Sequence, residues 1–123
     1  MKPRARRYQE QITGHTADEA YWVGGTSTQA GGVKFDGFKD GVLLEAKGPG
    51  YAKFFDGLEP KAWFKNSGAA DLVAQAKRQN EIVRGMGILI EWHVAEAGAA
   101  QAIEWLLESE TISVIKVIHT PAR

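Results

Sequence analysis

The dipeptide Asp40-Gly41 constrains this chain more than any other feature of its sequence. A two-residue primed turn needs positive φ at both central positions, which Asp tolerates and Gly accepts freely, so residues 32–48 read as a hairpin. The turn sets the register. Lys39 faces Val42, Phe38 faces Leu43, Gly37 faces Leu44, and Asp36 lies across from Glu45. Side chains alternate along a strand, so Val33, Phe35, Val42, Leu44 and Ala46 are expected on one buried face, with Asp36, Glu45, Lys47 and Lys34 on the other.

Two carboxylates in cross-strand positions, with β-carbons roughly 5 Å apart, repel each other unless something compensates them. A divalent cation does so, and Mg²⁺ characteristically takes one or two protein carboxylates and fills its shell with water and phosphate oxygens. A solvated face on which Lys34 and Lys47 neutralise Asp36 and Glu45 fits the same pattern. There is no cysteine, so any metal must sit on oxygen or imidazole.

The 123 residues suffice for one domain with its own core. No apolar run approaches the roughly 20 residues of a membrane helix, and the basic start is not followed by a signal-peptide core, so a chain that does not span a membrane is expected. The formal net charge is zero, which argues against general affinity for nucleic acid. The charge is uneven, however. Seven basic residues stand between Lys47 and Arg84 against four acidic ones.

Residues 1–7, with Arg4, Arg6 and Arg7, are expected to be flexible, and a short helix to run from Tyr8 to Thr13 with Gly14 as its stop. Thr16-Ala17-Asp18-Glu19 has capping-box spacing and predicts a second helix through Val23, in which Glu19 satisfies the Thr16 backbone N–H. Residues 48–67 show no clear periodicity. They mix Tyr51, Phe54, Phe55, Trp63 and Phe64 with Lys53, Lys61 and Lys65, a combination that stacks bases and tracks phosphates, or that caps the open end of a core. Leu72, Ala76, Gln79 and Val83 share one face of a helix over 68–84, with the misfit Gln79 one turn beyond Gln75. Lys77 and Arg84 share another face, either toward a phosphate backbone or as ordinary solvated charges. A strand over 87–94 places Ile88, Ile90, Trp92 and Val94 on one side and Glu91 and His93 on the other; a short amphipathic helix and a β-branched strand over 112–119 follow.

The order helix, two hairpin strands, long loop, helix, strand, helix, strand implies an α/β fold with a mixed sheet flanked by helices. This arrangement resembles the restriction-endonuclease-like core of the PD-(D/E)xK nucleases, in which the Asp and the (D/E)xK motif occupy adjacent hairpin strands. Four blocks, Tyr8–Gly14, Gly32–Gly37 (GVKFDG), Leu43–Tyr51 (LLEAKGPGY) and Trp92–Glu96 (WHVAE), together resemble the fifth group of restriction-endonuclease-fold toxins, found at the C-terminus of bacterial polymorphic and type VI secretion effectors. Phe35 stands where the motif name expects Pro.

The resemblance implies metal-dependent hydrolysis of DNA phosphodiesters. Asp36, Glu45 and the carbonyl of Ala46 would hold Mg²⁺ or Mn²⁺, with Glu19 at the position of the first-helix acid that completes the shell. Lys47 would orient or help deprotonate the attacking water, and Gln75 and Gln79 would position Lys47 or a phosphate oxygen. Lys53, Lys61, Lys65, Lys77 and Arg84 are the candidate nucleic-acid contacts. The resemblance further implies a larger secreted effector, action in the cytoplasm of a target bacterium, and a cognate immunity protein. An RNase of the same fold, or a non-catalytic nucleic-acid- or protein-binding module, remains compatible with the residues.

Overall fold

A computed structural model describes residues 1–123. In chain order the elements are α1 (Pro3–Thr13), β1 (Tyr21–Val23), β2 (Val33–Phe35), β3 (Gly37–Lys39), β4 (Val42–Lys47), β5 (Phe55–Asp56), β6 (Glu59–Pro60), α2 (Ala62–Phe64), α3 (Ala70–Ile82), β7 (Leu89–Val94), α4 (Ala97–Ser109) and β8 (Ile115–His119). Four strands form the central sheet in the order β3-β4-β7-β8. The β3–β4 pair is antiparallel, whereas β4–β7 and β7–β8 are parallel. Helices α3 and α4 make the two parallel connections. Both therefore lie on one face, as crossovers of one hand advancing in one direction across a sheet require.

The hairpin register is the one its turn dictates. Gly37 pairs with Leu44, Phe38 with Leu43 and Lys39 with Val42. Asp40 and Gly41 both have positive φ, 54° and 82°, as a primed turn needs.

Strand β4 alternates as expected, but both of its faces are buried, and Phe35 departs from its expected side. Leu43 and Phe35 join the main core with Ile90, Trp92 and Val94 of β7, Leu72 and Ala76 of α3, and Ala99, Ile103 and Leu107 of α4. Glu45 and Lys47 point to that same side and are 7% and 6% exposed. Leu44 is buried on the opposite side, where α1 covers β3 and β4; a Cβ on Gly37 would lie 2.9 Å from Thr13 Cγ2. The sheet is covered on both faces, so β4 buries neighbours of both parities. Phe35 changes sides because the chain bends at Asp36, between β2 and β3.

Helix α1 begins at Pro3, earlier than the expected Tyr8. Pro at the first helical position is preset for that geometry, and Arg4 and Arg6 anchor the first turns by donating to the Pro49 carbonyl (3.2 Å) and to Asp18 (2.9 Å). Gly14 ends it in the left-handed conformation at φ 78°.

The predicted helix over 16–23 does not form. Thr16–Glu19 makes one turn, with Glu19 N–H donating to the Thr16 carbonyl, and Tyr21–Val23 then pairs antiparallel with β2. The Thr16 hydroxyl is engaged by Arg6 and the Asp18 N–H, so the reciprocal capping box has no Thr16 side chain to complete it. The aperiodic stretch 48–67 is a 3-10 turn (Ala52–Phe54), a β5–β6 ribbon, and α2 running through a π-type turn (Lys65–Ala69) into α3. Its aromatics mostly pack on one another: Phe54 stacks on Phe64 at 4.6 Å, and Phe55 and Phe64 are buried. Only Trp63 stands out, at 64% exposed.

Candidate active site

Parallel pairing sets Glu45 beside Trp92 and Lys47 beside Val94. Helix α3 crosses above them with Gln75 and Gln79, one turn apart. A closed polar network follows. Trp92 Nε1 donates to Gln79 Oε1 at 2.8 Å, which orients the Gln79 amide so that its Nε2 donates to Glu45 Oε1 at 3.3 Å. Gln75 Nε2 donates to Glu45 Oε2 at 2.8 Å, and its Oε1 accepts a hydrogen bond from Lys47 Nζ. Lys47 Nζ lies 3.5 Å from Glu45 Oε2 and 4.7 Å from the centre of the Trp92 ring. Every polar atom of this buried group has a partner, which makes its placement tolerable inside a core.

Gln79 explains itself here. It is the misfit on the α3 apolar stripe and is fully buried because its amide links the indole to the carboxylate.

Asp36 reaches the cluster from the hairpin side. Its backbone N–H donates to the Leu44 carbonyl at 3.0 Å, and its Oδ2 accepts the Ala46 N–H at 2.8 Å, leaving Oδ1 without a protein donor. Asp36 and Glu45 share a cavity of about 320 Å³ with Thr28, Lys34, Gln75 and Arg78. The Glu45 carboxyl is pushed up to about 7, chiefly by burial, with the Asp36 charge adding to it and the Lys47 ammonium opposing. An acid so destabilised as an anion is one that a cation would stabilise.

The donor chemistry fits a small hard cation: two carboxylates line one polar cavity with room for a hydrated ion, and Asp36 keeps one oxygen free. No group of three His, Asp or Glu side chains gathers there, so waters and substrate oxygens would supply the remaining positions. Glu19 is not brought to this cavity. Its carboxylate is 67% exposed and lies 3.8 Å from His15 Nδ1.

The five expected nucleic-acid contacts also lie off the cavity. Lys77 pairs with Glu110 at 3.2 Å, Arg84 pairs with Glu81 at 2.6 Å, and Lys53 rests over the Phe54 ring at 5.4 Å. Lys65 and Lys77 flank a separate groove with Trp105. Thr28, Arg78 and Trp92 escape a reading of the sequence, Thr28 because it lies in an unpatterned polar connection. Arg78 looks like any solvated helix charge, and Trp92 like a plain core residue of an apolar strand. A larger, mostly apolar groove of about 590 Å³ between α4 and β8 holds neither paired carboxylate.

Comparison with known families supplies the lineage. The profile described as restriction endonuclease fold toxin 5 matches residues 5–97, three quarters of the chain, from α1 through the hairpin and α3 to the start of α4. The chain belongs to that family. The match spans Asp36, Glu45, Lys47, Gln75, Gln79 and Trp92, so the whole network lies inside the family's portion of this toxin-fold chain. No curated protein matches it. None of its helices is long and apolar enough to cross a membrane.

Proposed function

We propose that this toxin-family domain is a nuclease that hydrolyses DNA phosphodiesters with the help of Mg²⁺ or Mn²⁺. The observation that carries the reading is the Glu45 carboxylate, buried with Lys47 beneath two glutamines and opening beside Asp36 into a polar cavity. A buried carboxylate and a buried ammonium cost stability, and such arrangements concentrate where chemistry needs them.

Asp36, Glu45 and the Ala46 carbonyl would hold the cation. When bound, the cation supplies charge neutralisation at the phosphate and a more acidic water. Lys47 holds its ammonium by hydrogen bonding to Gln75 and by the face of Trp92, where it orients the attacking water and offsets negative charge developing on the phosphate oxygens. Gln75 ties Lys47 to Glu45, and Gln79 holds the other carboxylate oxygen in place through Trp92. Both glutamines are positioning residues. Water adds its oxygen to phosphorus and releases a proton to solvent, the bridging P–O bond breaks, and the leaving oxygen takes a proton from solvent. Glu19 is omitted from the donor set because it faces His15 at the surface.

The toxin family supports a wider reading in which the domain is the payload of a secreted effector, acts in the cytoplasm of a target bacterium, and is held harmless in the producing cell by an immunity protein. The test is cleavage of supercoiled plasmid by the purified domain. Nicking with Mg²⁺ that vanishes with EDTA, with Lys47→Ala and with Glu45→Ala is the expected result. Intact plasmid in every lane, with degradation of RNA instead, would move the substrate to RNA. Inertness toward both would leave a binding module.

A further inference from the structure

Two cations stand at the mouth of the carboxylate cavity and have no acidic partner. Lys34, on β2, and Arg78, on α3, line the cavity with Asp36 and Glu45, and neither forms an ion pair or a side-chain hydrogen bond within the protein. Their neighbours along the chain Lys77 and Arg84 are each paired with a glutamate, and no other basic residue lines this cavity. Glu81, the acid adjoining Arg78 in a neighbouring concavity, is taken by Arg84 at 2.6 Å.

The elements that carry the two cations are locked together. Gly25 and Gly32 cross so closely that a Cβ on Gly32 would come 2.1 Å from the Gly25 carbonyl oxygen. A Cβ on Gly24 would lie 2.6 Å from Ile82 Cδ1 of α3, so the 24–32 loop and β2 sit directly against the helix that bears Arg78. The Ser27 carbonyl closes the loop by accepting from both Ala30 N–H and Gly32 N–H, which sets Thr28 on the cavity wall.

From this we infer that Lys34 and Arg78 form a clamp on the DNA backbone, each holding a phosphate on either side of the bond presented to Asp36 and Glu45, with the Thr28 hydroxyl as a further donor. The inference rests on the nuclease reading of the same cavity. A planar guanidinium grips phosphate oxygens bidentately, and an ammonium on a flexible stem serves as a point charge, so the two ends of the clamp differ in how tightly they orient the strand. Two long cations without intramolecular partners beside two acids also offset the repulsion that those acids would exert on an incoming phosphate.

The experiment is steady-state cleavage of a fluorescent DNA duplex in Mg²⁺ by wild type, Lys34→Gln, Arg78→Gln and the double variant over a salt series, with melting temperature as the folding control. KM is expected to rise several-fold in each single variant with kcat within about twofold, and the salt slope of log kcat/KM to become shallower by about 0.9 per lost phosphate contact. Arg78→Lys should recover part of the KM, whereas Lys116→Gln, in the separate groove between α4 and β8, should leave it unchanged. A double variant with wild-type KM and slope overturns the clamp while the nuclease reading stands. A wild-type protein that cleaves RNA but not DNA overturns the clamp as a DNA-backbone device. A wild type inert toward both removes the nuclease reading and the clamp with it.

Discussion

Replacing Glu45 by Gln should abolish a pH dependence of folding that the wild-type chain carries in the absence of metal. The folded carboxyl sits near 7 against an ordinary value of 4.5, first because it is buried and then because Asp36 adds a second negative charge. A raised acid binds its proton more tightly when folded, so between these values the unfolded chain releases a proton that the folded chain keeps. Stability from this group is therefore greatest at low pH, falls as pH rises past 4.5, and levels off above 7. At about 1.36 kcal/mol per tenfold change in proton binding, the loss between pH 5 and pH 8 comes to about 2–3 kcal/mol. That corresponds to roughly 10 °C in Tm for a domain of this size.

The assay is urea unfolding in EDTA at half-unit steps across that range, for wild type and Glu45→Gln. The variant also leaves Lys47 without its carboxylate, which changes absolute stability at every pH. The difference between the two pH slopes removes that offset together with every titrating group the two proteins share. Addition of Mg²⁺ should flatten the wild-type profile, because a bound cation stabilises the ionised form at high pH, and should leave the variant's profile unaltered. Parallel profiles, within about 0.5 kcal/mol from pH 5 to 8, would refute the claim that burial holds Glu45 as a weak acid.

Three further outcomes test individual contacts. Lys47→Met keeps an apolar chain over the Trp92 ring and should retain the fold by circular dichroism while cleavage falls by about 10²–10⁴-fold; activity within a few-fold of wild type would remove Lys47 from the chemistry. Trp92→Phe leaves Gln79 Oε1 without its donor and should cost about 1–3 kcal/mol in urea unfolding, a loss that a water-bridged replacement would shrink toward zero. Gly32→Ala forces a Cβ against the Gly25 backbone and should lower stability by about 1–3 kcal/mol with a rise in KM for DNA; an unchanged melting temperature would show that the 24–32 loop yields freely.

Local chemistry made much of the fold legible. Asp40-Gly41 dictates its own turn geometry and hence the hairpin register, and the apolar spacing of Leu72, Ala76 and Val83 carries α3. The failures have physical causes. Thr16-Ala17-Asp18-Glu19 satisfies the spacing of a helix cap, but its hydroxyl is taken by Arg6 and its chain is drawn into pairing with β2, a tertiary contact that no local pattern encodes. A three-residue strand such as Tyr21–Val23 is too short to show alternation. Alternation assigned the two faces of β4 correctly but not their burial, because a strand between α1 on one side and α3 and α4 on the other buries both parities, and Leu43 and Leu44 are both inside.

At the site, Asp36, Glu45 and Lys47 announce themselves as polar residues at turn-set positions. The burial of Glu45 and Lys47 was not legible, since it depends on α3 crossing over the parallel β4–β7 pair. Arg78 has no local signature, for a free cation and a paired one look alike in sequence. Only the folded chain separates it from Lys77, through the cavity it lines and the glutamate partner it lacks.

The polar network has a consequence for how the chain reaches this state. Asp36 and Ala46 meet across only ten residues, so the carboxylate hairpin closes early and locally, while Gln75 and Gln79 arrive from 30 and 34 residues away, after α3 has formed and β7 has docked parallel. Contacts of that separation are slow to form. Sealing Glu45 is thus a late event in folding, and at alkaline pH it requires stripping water from an anion. Refolding should slow as pH rises, so that the last structure to assemble is the carboxylate network proposed as the site.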